Sequence, residues 1–179
     1  MRSKQKGFSL IELLIVVAII LIIAAIAIPN LLRAKIAANQ SSAVGSLRTI
    51  SSAEETFSST YSDGFTLTLT QLGGPAGAAA NCGRAELVDE VLSTAPFQKS
   101  GYGYNFNSTG GPALVGNIPA GCAGSGGLGF SVGTAPVQLT SGTAAYCIDE
   151  TGVVRVNSQA AALGFPASPC SQSGLVALQ

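Results

Sequence analysis

The sequence predicts an α+β fold in which a long N-terminal helix packs on a small antiparallel β-sheet. The stretch Phe8–Ile28 is apolar except for Ser9 and Glu12, and a helical pattern continues to about residue 60. After residue 60 come 20 of the 22 glycines, seven of the eight prolines and all four cysteines. Short alternating segments between such turn-forming residues are typical of antiparallel strands.

Composition argues against catalysis. The 179 residues carry nine basic and nine acidic side chains, and charged residues make up 10% of the chain, against about 25% in typical soluble proteins. A net charge of zero excludes a nucleic-acid binder that relies on bulk positive charge. The sequence has no His, which excludes Ser–His–Asp triads, Cys–His dyads and His-based zinc sites. We predict a protein that is not an enzyme and that uses no metal or cofactor.

The first half of the helix is a membrane-span candidate. As a helix, Phe8–Ile28 is roughly 31 Å long, which is about one hydrocarbon core. Residues 1–7 are basic and favour an orientation with the N-terminus inside, although Arg33 and Lys35 on the far side weaken that argument. Pro29 removes a backbone hydrogen bond and predicts a helix kink.

The second half of the helix is amphipathic. Apolar residues recur at intervals of three or four and form one stripe: Leu47, Ile50, Ala53, Phe57 and Tyr61. Polar residues occupy the opposite face: Gln40, Ser41, Arg48, Ser52 and Glu55. This half should therefore pack one face on a globular domain.

The pattern after residue 60 predicts one short helix and several strands. The helix is expected at Arg84–Ala95, with Leu87/Val91 and Val88/Leu92 as pairs one turn apart. Strands are expected at Gly101–Phe106, at Leu128–Val132 with Leu128, Phe130 and Val132 on one face, and as a hairpin of Ala144–Ile148 with Val153–Val156. Three adjacent acid pairs are predicted to be solvated faces or a turn: Glu54-Glu55, Asp89-Glu90 and Asp149-Glu150. A calcium site at Asp149 and Glu150 is left open as the alternative for the third pair.

The cysteines predict disulfides and an oxidising compartment. They form an even set without a C-x-x-C pair: Cys82, Cys122, Cys147 and Cys170. Three connectivities are open, and sequential pairing is favoured because it closes the shorter loops. Free buried thiols are the alternative.

Glu12 is a charge within an apolar span, where charge is costly. It lies near the end of the span, so it could extend to the membrane interface. A cut between Gly7 and Phe8 would give Phe8 a free amine. That amine could pair with Glu12 of a staggered neighbouring chain, and every other register would leave a charge unpaired.

The segment Lys6-Gly7-Phe8-Ser9-Leu10-Ile11-Glu12 and the apolar helix that ends at Pro29 strongly resemble the N-terminus of type IV pilins and type II secretion pseudopilins. The resemblance covers about residues 1–35. It implies the pilin fold, cleavage between Gly7 and Phe8 by a prepilin peptidase, and N-methylation of Phe8 by the same enzyme. It also implies that Glu12 pairs with the Phe8 amine of a neighbouring subunit to guide assembly. The family often has a glycine before the proline, and here no glycine lies between Phe8 and Pro29.

The implied organisation has four parts: a cleaved basic leader at 1–7, a transmembrane and filament-core helix at 8–29, its amphipathic continuation at 30–60, and a disulfide-braced head at 61–179. The implied function is that of a structural subunit of a type IV pilus, serving adhesion, twitching motility or DNA uptake. The subunit would cross the inner membrane once, meet an assembly platform there, and polymerise into a helical homo-oligomeric filament on the cell surface.

Three alternatives are open. The first is a pseudopilin of a type II secretion system, in a periplasmic filament. The second is a single-span, membrane-anchored periplasmic or extracellular binding protein. The third is an ordinary secretory signal peptide, for which Ala25-Ile26-Ala27 offers a cleavage motif. A nucleic-acid partner is left open, with no residue pattern to support it.

Overall fold

A computed structural model describes residues 8–74, 79–112, 122, 126–158, 170 and 175–178. The chain divides into two compact units, Met1–Lys35 and Ile36–Gln179. The long helix α1, Leu10–Tyr61, contributes residues to both units. Its extent confirms the predicted helix from about residue 8 to about residue 60.

In the first unit, α1 is apolar on all sides from Leu13 to Ile28. Helical structure continues through Pro29, which lies inside the helix. The large apolar side chains of this part are exposed within the chain, from Leu10 at 76% to Leu32 at 45%. A helix that is hydrophobic all round needs a cover from outside its own chain, such as lipid or other protein.

In the second unit, an antiparallel sheet follows the helix. The strands are β1 Phe65–Thr66, β2 Gln98–Lys99, β3 Tyr102–Pro112, β4 Gly126–Pro136, β5 Ala145–Asp149, β6 Arg155–Asn157 and β7 Val176–Ala177. Two short helices, α2 Leu69–Leu72 and α3 Glu90–Ser93, precede β2. Within the described residues the order is β2-β3-β4-β5-β6-β7, with β1 paired to β4, so two-residue strands lie at both edges.

The predicted apolar stripe of α1 forms one side of the core. Leu47, Ile50 and Phe57 are fully buried, and they belong to one cluster with Tyr102 of β3 and Phe130 of β4. Burying each large apolar side chain contributes about 1.5–3 kcal/mol. The helix-on-sheet arrangement therefore confirms the predicted α+β architecture.

The predicted helix at Arg84–Ala95 is wrong over its first half, since only Glu90–Ser93 is helical. The preceding backbone bonds to α2 instead, with Ala85 N donating to Gln71 O at 2.8 Å. The helix starts after Asp89, whose carboxylate accepts from Leu92 N at 2.9 Å. Leu87 and Val88 precede this helix, so the expected pairs with Val91 and Leu92 are not set by one turn of a shared helix.

The strand predictions are largely confirmed, with one exception. The hairpin forms with Tyr146 opposite Val156, and Gly152 adopts a positive φ of 71° in the turn. The exception is Leu128, which is 65% exposed although Phe130 is buried. At this end of β4 the register with β3 shifts between Thr109 and Pro112, and such irregularities interrupt the alternation of buried and exposed positions.

Candidate functional site

The start of α1 carries a side-chain cap. Ser9 immediately precedes the helix, and Glu12 lies in its first turn. Glu12 Oε2 accepts a hydrogen bond from Ser9 N at 3.0 Å, while the Ser9 carbonyl accepts from Leu13 N at 3.3 Å. This is one half of a capping box, in which the acidic side chain satisfies an amide that has no partner within the helix.

The cap gives Glu12 a role inside its own chain that the sequence analysis missed. The signal was present, because Ser9-Leu10-Ile11-Glu12 has the Ser-x-x-Glu spacing of a capping box before an apolar run. A carboxylate in the first turn also interacts favourably with the helix dipole. The carboxylate of Glu12 is therefore held near the N-terminus of the helix by its own chain.

The helix that contains Glu12 is a candidate membrane span by length and composition. Within the described residues it is the one helix that meets both criteria, with a mean hydropathy of 3.3 in its most apolar window and none of that window buried inside the chain. Phe8, at 79% exposure, lies just before it. Gly7 lies outside the described residues. The expected roles of Gly7, Phe8, Glu12 and Pro29 stay predictions.

Glu54 corrects the prediction that the first acid pair is solvated. Glu55 is exposed, but Glu54 is fully buried and accepts hydrogen bonds from Thr66 N, at 2.8 Å, and from Thr66 Oγ1. Burial raises the pKa of Glu54 from 4.5 to about 7, although the two bonds from Thr66 act in the opposite direction. Glu54 lies four residues after Ile50 and three before Phe57, so the helical period itself places it on the buried face.

The other two acid pairs have local structural roles. Burial works against ionisation of Asp89, but hydrogen bonds from Lys99 and Leu92 outweigh it and hold the pKa of Asp89 below its ordinary value. Asp149 behaves alike, because bonds from Thr151 and Arg155 outweigh the effect of burial and lower its pKa. Among the described residues, no three His, Cys, Asp or Glu side chains converge as a metal site.

Two disulfides brace the second unit. Cys82 bonds to Cys122 and Cys147 bonds to Cys170, with a Cα–Cα distance of 5.5 Å in each pair. This is the sequential connectivity that the sequence analysis favours. Cys147 lies on β5 and is 1% exposed, so the second disulfide ties residue 170 to an interior strand of the sheet.

Comparison with known proteins places these features in a class. Residues 2–28 match the family described as the prokaryotic N-terminal methylation motif. The long apolar helix, its N-terminal motif and the antiparallel sheet on which its second half packs define a pilin-like architecture. The resemblance found in the sequence is thereby confirmed.

Two curated relatives are type IV pilins. The chain is 48% identical over 63 residues to the type IV major pilin protein of Myxococcus xanthus, which is 34% of this chain and 29% of that relative. It is 71% identical over 34 residues to the type IV wide pilus major component of Thermus thermophilus, which is 19% of this chain and 26% of that relative. The chain thus spans less than a third of the length of either relative. No solved structure matches the chain.

Proposed function

We propose that the chain is a structural subunit of a type IV pilus and polymerises through its N-terminal helix. One observation carries the proposal: the match to the N-terminal methylation motif, residues 2–28, includes the start of an apolar helix whose most hydrophobic window is not buried within its own chain. Exposed apolar surface of this extent needs lipid or protein around it. Lipid would cover this surface while the subunit resides in a membrane, and neighbouring subunits would cover it in the filament.

Processing would prepare the helix for assembly. A prepilin peptidase would cut between Gly7 and Phe8, remove the basic residues 1–7, and methylate the new amine of Phe8. Phe8 precedes α1 and is strongly exposed, so nothing among the described residues covers this position. The new α-amine of Phe8 would then place a positive charge at the start of the apolar helix.

Glu12 would set the register between neighbours. In the unassembled chain its carboxylate accepts from its own Ser9 amide. On assembly it would pair with the Phe8 amine of an adjacent subunit, since a charge brought into an apolar filament core is costly unless it is paired. Registers that leave Glu12 without this partner are disfavoured, which makes the pair a specificity device.

The remaining segments would divide the work. Residues 8–29 would cross the inner membrane once, with the leader inside, and later line the filament core. Residues 30–60 would join this helix to the head at 61–179, which would face the medium on the cell surface. Pro29 would supply the kink between the apolar and the amphipathic halves. The proposal includes an assembly platform in the inner membrane as a partner of the subunit. The expected uses of the filament are adhesion, twitching motility or DNA uptake.

The N-terminal peptide from the native host tests the processing step. Its mass should correspond to a chain that starts at Phe8 and carries one extra methyl group. A start at Ile28 would mean ordinary secretion and would contradict the proposal, because the polymerising helix would be lost. An unprocessed Met1 in purified surface filaments would contradict it as well.

A matched pair of substitutions tests assembly. Glu12→Gln removes the charge that sets the register and should abolish surface filaments while the subunit is still made and processed. Glu55→Gln removes an exposed carboxylate elsewhere on α1 and should leave the filaments intact. Deletion of the chain should remove a surface filament; loss of an exported enzyme with surface filaments retained would instead indicate a secretion pseudopilin.

A further inference from the structure

The first two charged residues of α1, Glu12 and Arg33, are separated by about one membrane thickness. Between Glu12 and Arg33 lie the 20 uncharged residues Leu13–Leu32. At 1.5 Å per residue they measure about 30 Å, which is the thickness of a typical hydrocarbon core. When Glu12 lies at one headgroup boundary, Arg33 therefore lies at the other.

Arg33 and Lys35 have no partner in their own chain among the described residues. Both are exposed, and neither forms an ion pair or a hydrogen bond there. The two positions are two residues apart, so their side chains leave the helix roughly 200° from each other. A protein surface that docks on one face of α1 can reach one of them, whereas a ring of lipid headgroups reaches both.

We propose that Arg33 and Lys35 form a cationic collar that binds lipid phosphates on the side of the membrane opposite residues 1–7. The inference rests on the membrane-resident state of the proposed function. Guanidinium groups bind phosphate through two parallel hydrogen bonds, and the lysine ammonium binds it as a point charge. Both side chains have aliphatic stems that can lie along the apolar helix while their charged ends reach the headgroups.

The collar gains importance once the leader is removed. Before cleavage, Arg2, Lys4 and Lys6 supply cations on the other side of the membrane. After cleavage between Gly7 and Phe8 these three charges are gone. Arg33 and Lys35 are then the side-chain cations that flank the span, and they hold its far end at the headgroups until assembly withdraws it.

Phosphorus-31 dephasing of nitrogen-15-labelled side chains in solid-state NMR tests the contact directly. The full chain carries Arg2→Gln, so that the leader contributes no arginine, and it is reconstituted in vesicles of phosphatidylethanolamine and phosphatidylglycerol. We expect the guanidinium signal to be dephased by lipid phosphorus. Arg33→Gln should remove most of this dephasing, and Arg33→Lys should likewise remove it from the guanidinium signal, because the replacement cation is an amine.

Arg48→Gln is the matched control, because Arg48 is exposed on the same helix but lies in the second unit. It should leave the dephasing unchanged. Equal dephasing with and without Arg33, or none in the parent chain, would overturn the proposal. Flotation of the vesicles separates this failure from that of the membrane premise. A chain that floats without a phosphate contact contradicts the collar alone, and a chain that does not float contradicts the membrane-resident state.

Discussion

Glu54 on α1 is bonded to Thr66 on β1, and this contact joins the helix to the first strand of the sheet through two hydrogen bonds to one buried carboxylate. The backbone amide and the hydroxyl of Thr66 both donate to it. Because β1 also pairs with β4, the carboxylate secures the chain at the point where it leaves the helix and joins the sheet.

Stability should fall as the pH rises through the titration of Glu54. The pKa of Glu54 is about 7 in the folded chain, and its ordinary value, which applies to the unfolded chain, is 4.5. The folded state therefore holds the proton more tightly than the unfolded state. The associated stability is fully present below pH 4.5 and is lost as the pH rises through about 7, with a total on the order of 3 kcal/mol. Chemical denaturation of the full chain in mild detergent from about pH 4.5 to about pH 8 measures this loss.

Two variants isolate the contribution of Glu54 to this pH dependence. Glu54→Gln should flatten the profile because it removes the titrating group, while Glu55→Gln, at an exposed neighbour, should leave it unchanged. A Glu54→Gln profile as steep as that of the parent chain would assign the effect to other groups. Asp89 and Asp149 act in the opposite sense, since their lowered pKa values make the fold less stable as the pH falls through their titration.

Thr66→Val should destabilise the second unit by about 1–3 kcal/mol, because it keeps the shape of the side chain but removes one donor to a buried carboxylate. The pKa of Glu54 should rise further, since the bond from the hydroxyl now lowers it. Thr49→Val, at an exposed position of α1, is the control and should cost well under about 1 kcal/mol. Equal losses in the two variants would show that the buried hydroxyl has no special importance.

The two roles of Glu12 should separate by substitution. Glutamine can accept from an N-cap amide, so Glu12→Gln should keep slow hydrogen exchange at the Ser9 amide, whereas Glu12→Ala should lose it, at a cost of about 0.5–2 kcal/mol in helix stability. Neither variant can form an ion pair with a neighbour's amine, so neither should form filaments. Filaments formed by Glu12→Gln would mean that the cap, rather than the charge, is what assembly requires.

Removing either disulfide should cost about 3–4 kcal/mol of stability on the chain-entropy estimate. The sequence separations are 40 residues for Cys82–Cys122 and 23 for Cys147–Cys170, so the first pair should contribute slightly more. Thermal unfolding of the two double Cys→Ala variants measures the contribution of each disulfide when it is compared under oxidising and reducing conditions. A variant whose unfolding still responds to reductant as strongly as the parent chain would contradict the assigned pairing.

The sequence was most informative where structure depends on local periodicity. The stripe that contains Leu47, Ile50 and Phe57 was predictable because helix geometry alone brings these residues to one face. Glu54 obeys the same period, and the prediction that it is solvated was wrong because Thr66, on a distant strand, supplies the donors that a buried carboxylate needs. The helix expected at Arg84–Ala95 failed for another reason. Its first residues bond to α2, a partner that only the tertiary fold supplies.

At the candidate site, the motif around Glu12 could be recognised from the sequence because its residue types and spacing are distinctive. The hydrogen bond from the Ser9 amide required the structure, although the Ser-x-x-Glu spacing was there to be read. The alternation of apolar residues along β4 did not predict the exposure of Leu128. That exposure accompanies a change of register with β3, which the sequence of a single strand does not reveal.

The short strands at the two edges of the sheet bear on solubility at high local concentration. β2 and β7, the outermost strands of the described sheet, are two residues long, so each of them offers an approaching strand few unpaired backbone groups. If many copies of this head are held side by side on one fibre, their sheets have little opportunity to fuse through β2 or β7. Crowding would then favour association through the helix over association through these two strands.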